Sequence, residues 1–257
     1  MKFIVIIPAR YASTRFPGKP LANVAGTPMV VRVARQAARS GASEVVVATD
    51  HQEIARVVEQ AGHEVIMTRR DHPTGTDRLA EVVSRRRYGA RTIVVNVQGD
   101  EPLIEPALIR RVAENLAAHR EAHIATACQP LRDAADFANP NIVKVVLDNA
   151  GLALYFSRAP IPYARDAFAN GIHTIPPRLT AYRHLGIYAY RASFLNAFKR
   201  LKPAAIEQFE ALEQLRALAH GFRISVAVTR SAPHPGIDTP ADLERVEHVL
   251  SARRRVS

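Results

Sequence analysis

The sequence predicts an α/β fold: a doubly wound, mostly parallel sheet with a smaller antiparallel insertion. Continuous apolar runs such as 2–7 (KFIVII) and 44–49 (EVVVAT) are typical of strands buried on both faces. Segments with a helical apolar period alternate with these runs, and the connections between strands are too long for hairpins. This alternation through residue 119 indicates parallel strands with helices packed on both sides of the sheet.

The first half contains four predicted strands and four predicted helices. The helix at 29–40 has Val30, Val33 and Ala37 on one face and ends before Gly41, a residue typical of helix ends. The last helix of this half has Pro106 in its first turn, where a missing N–H group costs nothing. The predicted strands are 2–7, 44–49, 64–68 and 92–97, and the predicted helices are 29–40, 52–61, 77–88 and 106–119.

The second half is less regular. Segments 142–147 and 152–157 flank the turn sequence DNAG, which predicts a hairpin and therefore antiparallel pairing. Residues 163–177 contain a glycine and two prolines and are predicted to form an exposed, mobile loop. The remaining predicted elements are strands at 185–190 and 223–228, a helix at 205–220, and a helix at 240–250 that Thr239 caps.

Length and composition favour one globular domain over residues 1–257. A chain of 257 residues with 47% hydrophobic residues buries a large core without metal or disulfide support. We expect residues of about 130–190 to form an arm without a core of its own, suited to a dimer contact. Residues 251–257 are expected to be a solvated basic tail.

Cysteine content and hydropathy restrict the class of protein further. The single cysteine, Cys128, excludes an intramolecular disulfide and a cysteine-based zinc site, and a buried, unreactive thiol is expected. No apolar run reaches the 18 residues of a membrane span, and no signal peptide is predicted. These features predict a soluble, cytoplasmic protein without membrane insertion.

The formal net charge is +11, and only five of the 35 basic residues are lysine. A basic chain is typical of proteins that bind nucleic acids, acidic membranes or small anions. Arginine used in place of lysine on ordinary surface helices explains the excess equally well. Tryptophan is absent, and no segment interleaves aromatic with basic residues as a base-stacking surface does. We therefore predict that nucleic acid is not a partner.

In open α/β sheets, ligands bind beyond the carboxyl ends of the strands. The loop after the first strand contains Arg10, Arg15 and Lys19 but no G-x-G-x-x-G or G-K-[ST] phosphate motif. Three cations on a short loop repel one another unless an anion lies among them, and a triphosphate would supply that anion. The alternative interpretation is a solvated basic loop.

Two further loops at this edge carry carboxylates. Asp100 follows the fourth strand after Gly99, a residue that permits close approach of a ligand. Asp238 follows the last strand and precedes the last helix. Mg²⁺ is typically held by one or two carboxylates plus substrate oxygens, so this pair predicts a magnesium site. The alternative is that each aspartate only caps a turn or helix, although Thr239 is better placed to cap the last helix.

Several motifs together resemble a known family. The segment IPARYASTRFPGKPL is similar to the nucleotide signature of the sugar nucleotidyltransferases. Within that superfamily, the chain resembles the 3-deoxy-manno-octulosonate (Kdo) cytidylyltransferases, also called CMP-Kdo synthetases, from residue 2 to about residue 246. The motifs that carry this second resemblance are NVQGDEP, NPNIVKVV, ALYFSRAPIP, RHLGIYAYR, LEQLR and GIDTPADLERV.

The resemblance implies a reaction, a cofactor and an assembly. The family joins CTP to Kdo, releasing CMP-Kdo and pyrophosphate for lipopolysaccharide biosynthesis, and it requires Mg²⁺. It forms homodimers through the smaller inserted region. A cytidylyltransferase for another acidic sugar, such as 8-amino-Kdo or a sialic acid, is the alternative, because its nucleotide loop would look the same.

The resemblance also implies roles for individual residues. His184 taken alone is better explained as a hydrogen-bonded core histidine, and only its motif favours a binding role. The implied catalytic residues are Arg10, Arg15, Lys19, Asp100 and Asp238, of which Asp100 and Asp238 would be the metal ligands. The implied CTP-binding residues are Ala9, Arg10, Arg15, Lys19, Thr74, Gly75, Arg78, Gln98 and Asp100. The implied sugar-binding residues are Arg15, Gln98, Arg158, His184, Tyr188, Glu213 and Gln214.

Overall fold

The structure is a computed structural model that describes residues 1–12, 16–230 and 236–254, with side chains described as far as Ser251. A 3-10 helix covers Lys19–Leu21. The strands are β1 (Ile4–Ala9), β2 (Asn23–Val24), β3 (Thr27–Pro28), β4 (Glu44–Thr49), β5 (Glu64–Met67), β6 (Ile93–Asn96), β7 (Ile124–Pro130), β8 (Lys144–Leu147), β9 (Ala153–Ser157), β10 (Tyr182–Arg191) and β11 (Ile224–Val228). The helices are α1 (Met29–Ala38), α2 (Gln52–Gln60), α3 (Gly75–Arg85), α4 (Pro106–Ala118), α5 (Ala134–Ala138), α6 (Ala192–Phe198), α7 (Ala205–Glu210), α8 (Gln214–Ala219) and α9 (Pro240–Arg254).

Seven strands lie side by side in the order β11-β7-β10-β6-β1-β4-β5. Strands β5, β4, β1 and β6 are mutually parallel, and β11 is parallel to β7. Strand β10 runs antiparallel to both of its neighbours, β6 and β7. The predicted fold class, a mostly parallel α/β sheet, is confirmed, and the reversed strand lies inside the sheet rather than at its edge.

The core lies on both faces of this sheet because successive side chains of a strand point to opposite sides. In β1, Val5 and Ile7 pack in the cluster that contains α1 and α4. Ile4 and Ile6 pack in the opposite cluster with α3 and α6. A strand covered twice has no polar positions, which is why the run KFIVII indicated a central strand correctly.

The inserted region differs from expectation. The predicted hairpin is confirmed: β8 and β9 pair antiparallel, and the Asp148 carboxylate accepts hydrogen bonds from the backbone of Ala150 and Leu152. The expectation that the arm lacks a core is wrong. Leu131, Phe137 and Phe168 form a small apolar cluster of their own, distinct from the two clusters on the faces of the sheet. Phe168 lies within the predicted loop 163–177, so that segment is anchored by a buried ring.

The predicted helix over 205–220 is also wrong, because the chain turns between α7 and α8. Ala211 adopts the left-handed conformation with φ 50°, and this ends α7. The apolar period continues across the break, since Leu212 and Leu215 are both buried. Periodicity therefore could not reveal the turn. Near the end of the chain, α9 extends to Arg254, four residues beyond the predicted helix 240–250 and into the expected basic tail.

Among the described residues, no helix combines the length and the apolar character needed to cross a membrane.

Candidate active site

A cavity of about 750 Å³ lies at the carboxyl edge of the sheet. Because β1 and β6 are parallel neighbours, the loops that follow them meet at this edge. Arg15 lies outside the described residues. The cavity is lined by the following residues that the sequence singled out: Ala9, Arg10, Lys19, Thr74, Gly75, Arg78, Gln98, Asp100 and Asp238.

Lys19 joins the two aspartates. Its Nζ donates hydrogen bonds to Asp100 Oδ2 at 2.6 Å and to Asp238 Oδ1 at 3.1 Å. The lysine side chain is 14% exposed, whereas the aspartates are 32% and 47% exposed. Lys19 is separated from Asp100 by 81 positions and from Asp238 by 219 positions, yet the three side chains form one charge cluster open to the cavity. The expectation that the two carboxylates lie together is met.

Close backbone contacts hold the aspartate loops in place. Gly99 lies so near β1 that a Cβ atom there would be 2.9 Å from the Pro8 carbonyl oxygen. On the other side, the Ile237 N–H group donates to the Asp100 carbonyl oxygen at 2.8 Å. Glycine at position 99 was expected to allow close approach of a ligand. In the structure, the absence of a side chain at Gly99 allows close packing against the neighbouring strand β1.

Asp238 is not the residue that caps the last helix. Thr239 Oγ1 accepts from the Asp242 N–H group, and Asp242 Oδ2 accepts from the Thr239 N–H group, which together form a reciprocal cap. The Thr239 hydroxyl group also donates to the Asp242 carboxylate, and this hydrogen bond, with those from the Asp238 and Thr239 N–H groups, lowers the pKa of Asp242 to about 2. Because the cap is made by neighbouring side chains, the Asp238 carboxylate is directed to Lys19.

The donor set suits a hard divalent cation. Within the described residues, no group of three or more acidic, histidine or cysteine side chains is arranged to hold a metal. Mg²⁺ does not need such a cage, because it binds through one or two carboxylates and completes its shell with water and phosphate oxygens. Asp100 and Asp238 supply two carboxylates that already share one cationic group, so these residues fit Mg²⁺.

Glu101, which follows Asp100 in the chain, is a further carboxyl group next to the aspartate loop. Burial, and secondarily the charge of Asp100, raise the pKa of Glu101 to about 7. The sequence did not single out this residue, because a glutamate next to an aspartate carries no pattern of its own.

The amino end of α3 also lines the large cavity. Thr74 caps this helix, with its hydroxyl group accepting from the Asp77 N–H group at 3.2 Å. The first helical residue is Gly75, and both Thr74 and Gly75 line the cavity. Unpaired N–H groups and the helix dipole at such an end attract anions, so this wall suits phosphate groups.

Arg78 was expected near the nucleotide, and its guanidinium group is largely committed to the protein. It pairs with Asp50 at 2.8 Å and donates to Thr68, with 4% of the arginine side chain exposed. Asp50 follows β4 and also accepts from the Tyr11 N–H group. The sequence analysis missed Asp50, although its position directly after a buried strand is the signal that identified Asp100.

Three of the expected sugar-binding residues surround a second, much smaller cavity of about 50 Å³. Tyr188, Glu213 and Gln214 line it together with Thr76. Thr76 directly follows Gly75, which lines the larger cavity. The Thr76 hydroxyl group donates to Glu213 Oε1. Burial raises the pKa of Glu213. Glu213 immediately precedes α8 and Gln214 is its first residue, so the two do not lie inside one long helix over 205–220 as predicted.

Two other expected sugar-binding residues, Arg158 and His184, line neither cavity, although the His184 ring lies 5.4 Å from the ring of Tyr188, which lines the smaller one. The Arg158 guanidinium group donates to the Glu210 and Pro140 carbonyl oxygens, at 2.6 and 3.0 Å. His184 lies 2.9 Å from Thr126 Oγ1 and packs edge-on against Phe156. Burial lowers the pKa of His184 to about 3, so the ring is neutral at pH 7. This environment matches the alternative interpretation, a hydrogen-bonded core histidine.

A model of the cytidylyltransferase family matches residues 4–224. The chain belongs to the cytidylyltransferase family. A solved structure described as CMP:2-keto-3-deoxy-manno-octonic acid synthetase complexed with CTP is 40% identical to it. That match covers 98% of this chain and 100% of the other, with a TM-score of 0.89. A cytidylyltransferase from Leptospira borgpetersenii serovar Hardjo-bovis is 16% identical over 98% of this chain and 87% of its own, with a TM-score of 0.62, and shows the fold alone.

The resemblance stated from the motifs is thereby confirmed. In this cytidylyltransferase the three loops that the sequence selected line one cavity, together with the amino end of α3. The roles assigned to single residues stay predictions.

Proposed function

We propose that this cytidylyltransferase activates Kdo with CTP, forming CMP-Kdo and releasing pyrophosphate. The observation that carries the proposal is the charge cluster of Lys19, Asp100 and Asp238 in the large cavity. A cation beside two carboxylates suits a nucleoside triphosphate together with a divalent ion. The solved CMP:2-keto-3-deoxy-manno-octonic acid synthetase, 40% identical over its full length, supports both the nucleotide and the sugar acid.

The groups proposed to hold the nucleotide line the same cavity. Arg10 and Lys19 provide positive charge, and the amino end of α3 provides N–H groups. Arg15, by its place in the same motif, adds a third cation. These groups favour the negative charge that builds up on pyrophosphate as it leaves. Alignment of the attacking sugar hydroxyl group with the leaving group then follows from fixing the triphosphate.

Asp100 and Asp238 are the proposed ligands of Mg²⁺. The ion, when bound, lowers the proton affinity of a hydroxyl nucleophile and offsets phosphate charge. The chain's own contribution is to hold two carboxylates within reach of one cation, as their hydrogen bonds to Lys19 illustrate.

The sugar acid is proposed to bind from the large cavity toward Thr76, near Gln98 and Tyr188. The small cavity of 50 Å³ holds only a few water molecules, so an eight-carbon sugar acid does not fit inside it. Gln98 lines the large cavity, whereas Tyr188, Glu213 and Gln214 line the small one together with Thr76. The sugar therefore has to extend through the large cavity or widen the small one.

An assay of pyrophosphate release tests the proposal. Purified protein is incubated with Mg²⁺, one nucleoside triphosphate and one 2-keto sugar acid at a time. We expect release with CTP and Kdo and much less with ATP or UTP. Preference for 8-amino-Kdo or a sialic acid would retain the reaction class and replace the sugar. No release from CTP with any acidic sugar would contradict the proposal.

The protein is further proposed to act as a homodimer in the cytoplasm. Large apolar side chains are exposed on the arm and beside it: Leu154 is 60% exposed and Tyr163 is 58% exposed. Phe209 on α7 is 91% exposed, and the next residue, Glu210, accepts hydrogen bonds from the end of β9. Large aromatic and aliphatic side chains exposed together on a protein surface are typical of association surfaces.

A further inference from the structure

The loop between β5 and α3 forms part of the cavity wall. His72, Pro73 and Thr74 all line the large cavity. A loop wall positions a ligand only if the protein holds it in place, so the groups that hold this one bear directly on nucleotide binding.

The group that holds this loop is Glu81, which is buried in the middle of α3. Glu81 Oε2 accepts a hydrogen bond from the Arg69 N–H group at 3.0 Å and makes a short contact with His72 Nε2. The second carboxylate oxygen pairs with Arg85, one turn later on the same helix. One carboxylate therefore binds the loop at two points three residues apart.

The contact between His72 and Glu81 is shielded from water. Their side chains are 8% and 10% exposed. Burial alone would raise the pKa of Glu81, but hydrogen bonds from His72 and the Arg69 backbone keep that pKa below its ordinary value. A buried carboxylate that stays ionised depends on its partners, because an unpartnered charge away from water is costly.

We propose that His72 and Glu81 act as a pair of positioning residues that hold the 69–74 loop as the nucleotide-binding wall. Glu81 does not line the large cavity, so it acts through His72 and the loop backbone. The inference rests on the proposed use of this cavity for CTP. It adds two residues to the nucleotide site that no motif indicated.

The competing explanation is that His72 contacts the nucleotide directly and Glu81 only stabilises α3. The two explanations differ in how the residues couple. A positioning pair acts as a unit, so the effects of losing either residue do not add. Independent roles give additive effects.

The test compares four single variants and one double variant of the full chain. His72→Phe keeps a ring but removes the hydrogen bond, whereas His72→Gln keeps an N–H donor. Glu81→Gln removes the charge. Asp71→Asn is the matched control: it removes a carboxylate from the same loop, where Asp71 is 70% exposed and pairs with Arg69.

We expect His72→Phe and Glu81→Gln each to raise the KM for CTP by about tenfold, as loss of a charge-assisted hydrogen bond implies. The double variant, which combines His72→Phe with Glu81→Gln, should have a KM for CTP no higher than that of the more severe single variant. His72→Gln should recover most of the loss, and Asp71→Asn should match the wild type. The KM for the sugar acid and kcat at saturating CTP should change little, which general unfolding would not produce.

Hydrogen exchange provides a readout that does not need activity. In ligand-free protein, the amides of residues 69–74 should exchange faster in His72→Phe and Glu81→Gln than in Asp71→Asn. Unchanged exchange, additive KM effects, or a wild-type KM for CTP in His72→Phe would overturn the inference. If the wild-type protein releases no pyrophosphate from CTP, the proposed function fails instead.

Discussion

At the scale of single residues, Lys19 explains how two distant carboxylates share one site. Two negative groups at close range repel each other, and an ammonium group between them offsets that repulsion. Lys19 Nζ is within hydrogen-bond distance of both Asp100 and Asp238. Lys19 offsets one of the two negative charges and already holds both carboxylates at one place before substrate arrives.

Replacing Asp100 with asparagine tests the metal assignment. We expect Asp100→Asn to lower the rate of pyrophosphate release about a thousandfold, because one of two proposed metal ligands is lost. The free energy of unfolding should change by less than about 1 kcal/mol, as is usual for a partly exposed ion pair. Urea unfolding and the Mg²⁺-dependent rate measure the two quantities.

Asp166→Asn serves as the control for that substitution. Asp166 is 86% exposed and pairs only with its neighbour Arg165 among the contacts described. Its loss should leave the rate unchanged. A near-normal rate in Asp100→Asn at saturating Mg²⁺ would rule out this aspartate as a metal ligand.

His184 predicts a specific dependence of stability on pH. Burial lowers its pKa to about 3, against about 6.5 in an unfolded chain. Below pH 6.5 the unfolded chain binds a proton that the folded protein does not, so stability falls as the pH falls toward 3. Between pH 7.5 and 5.0 this single group should account for a loss of about 2 kcal/mol.

The variant His184→Gln isolates that contribution. Its free energy of unfolding should fall less over the same pH range than that of the wild type, with the difference near the expected 2 kcal/mol. Urea titrations at the two pH values measure it. Parallel losses in the two proteins would mean that His184 titrates normally when folded.

At the scale of elements, the close approach of β1 and the loop after β6 decides where Asp100 lies. Gly99 lies against the Pro8 carbonyl oxygen, at a distance that no Cβ atom tolerates. The helix break at Ala211 similarly decides where Glu213 lies. Both are backbone features, and neither alters the apolar pattern that secondary-structure prediction uses.

Gly99→Ala is expected to reduce stability and activity together. The added methyl group has to displace backbone rather than a mobile side chain, which typically costs about 1–3 kcal/mol. Displacement also moves Asp100 relative to Lys19, so kcat should fall. Urea unfolding and the pyrophosphate assay check the two effects.

Gly89→Ala provides a comparison on the same backbone. A Cβ atom there would meet only the Thr92 side chain, at 3.8 Å. Its unfolding free energy should stay within about 0.5 kcal/mol of the wild type. If the two alanine variants were equally stable, close packing at Gly99 would not be what holds the Asp100 loop.

At the scale of the whole molecule, Leu154 and Tyr163 on the inserted arm and Phe209 on α7 are large apolar side chains exposed to solvent. Phe209 is the most exposed of the large apolar side chains described, at 91%. The arm has its own small apolar cluster around Phe137 and Phe168, so these exposed groups do not complete a core. Association with a second copy would cover them.

Phe209→Asp is therefore expected to weaken the proposed dimer. Sedimentation of the wild type should give about twice the 28.3 kDa mass of one chain, and the variant should shift toward the single-chain mass. Met67→Asp is the control, because Met67 is 40% exposed and lies on β5, the edge strand farthest from β11 in the strand order. A single-chain mass for the wild type would contradict the dimer.

Much of this protein follows from local pattern. The strands β1, β4 and β6 are apolar runs covered on both faces, and burial of that kind leaves its mark on every residue of the run. The edge where ligands bind follows from strand direction, so the order of strands and loops in the sequence already indicates that Asp100 and Asp238 lie at that edge.

Long-range contacts decided the rest. Arg78 is neutralised by Asp50, the His184 ring is desolvated beside Phe156, and Glu81 holds a loop nine residues before it. Each of these states depends on groups that folding brings together, and a charge or proton affinity is set by its surroundings rather than by the residue type. Sequence patterns identify which side chains are available, and packing determines what each of them is able to do.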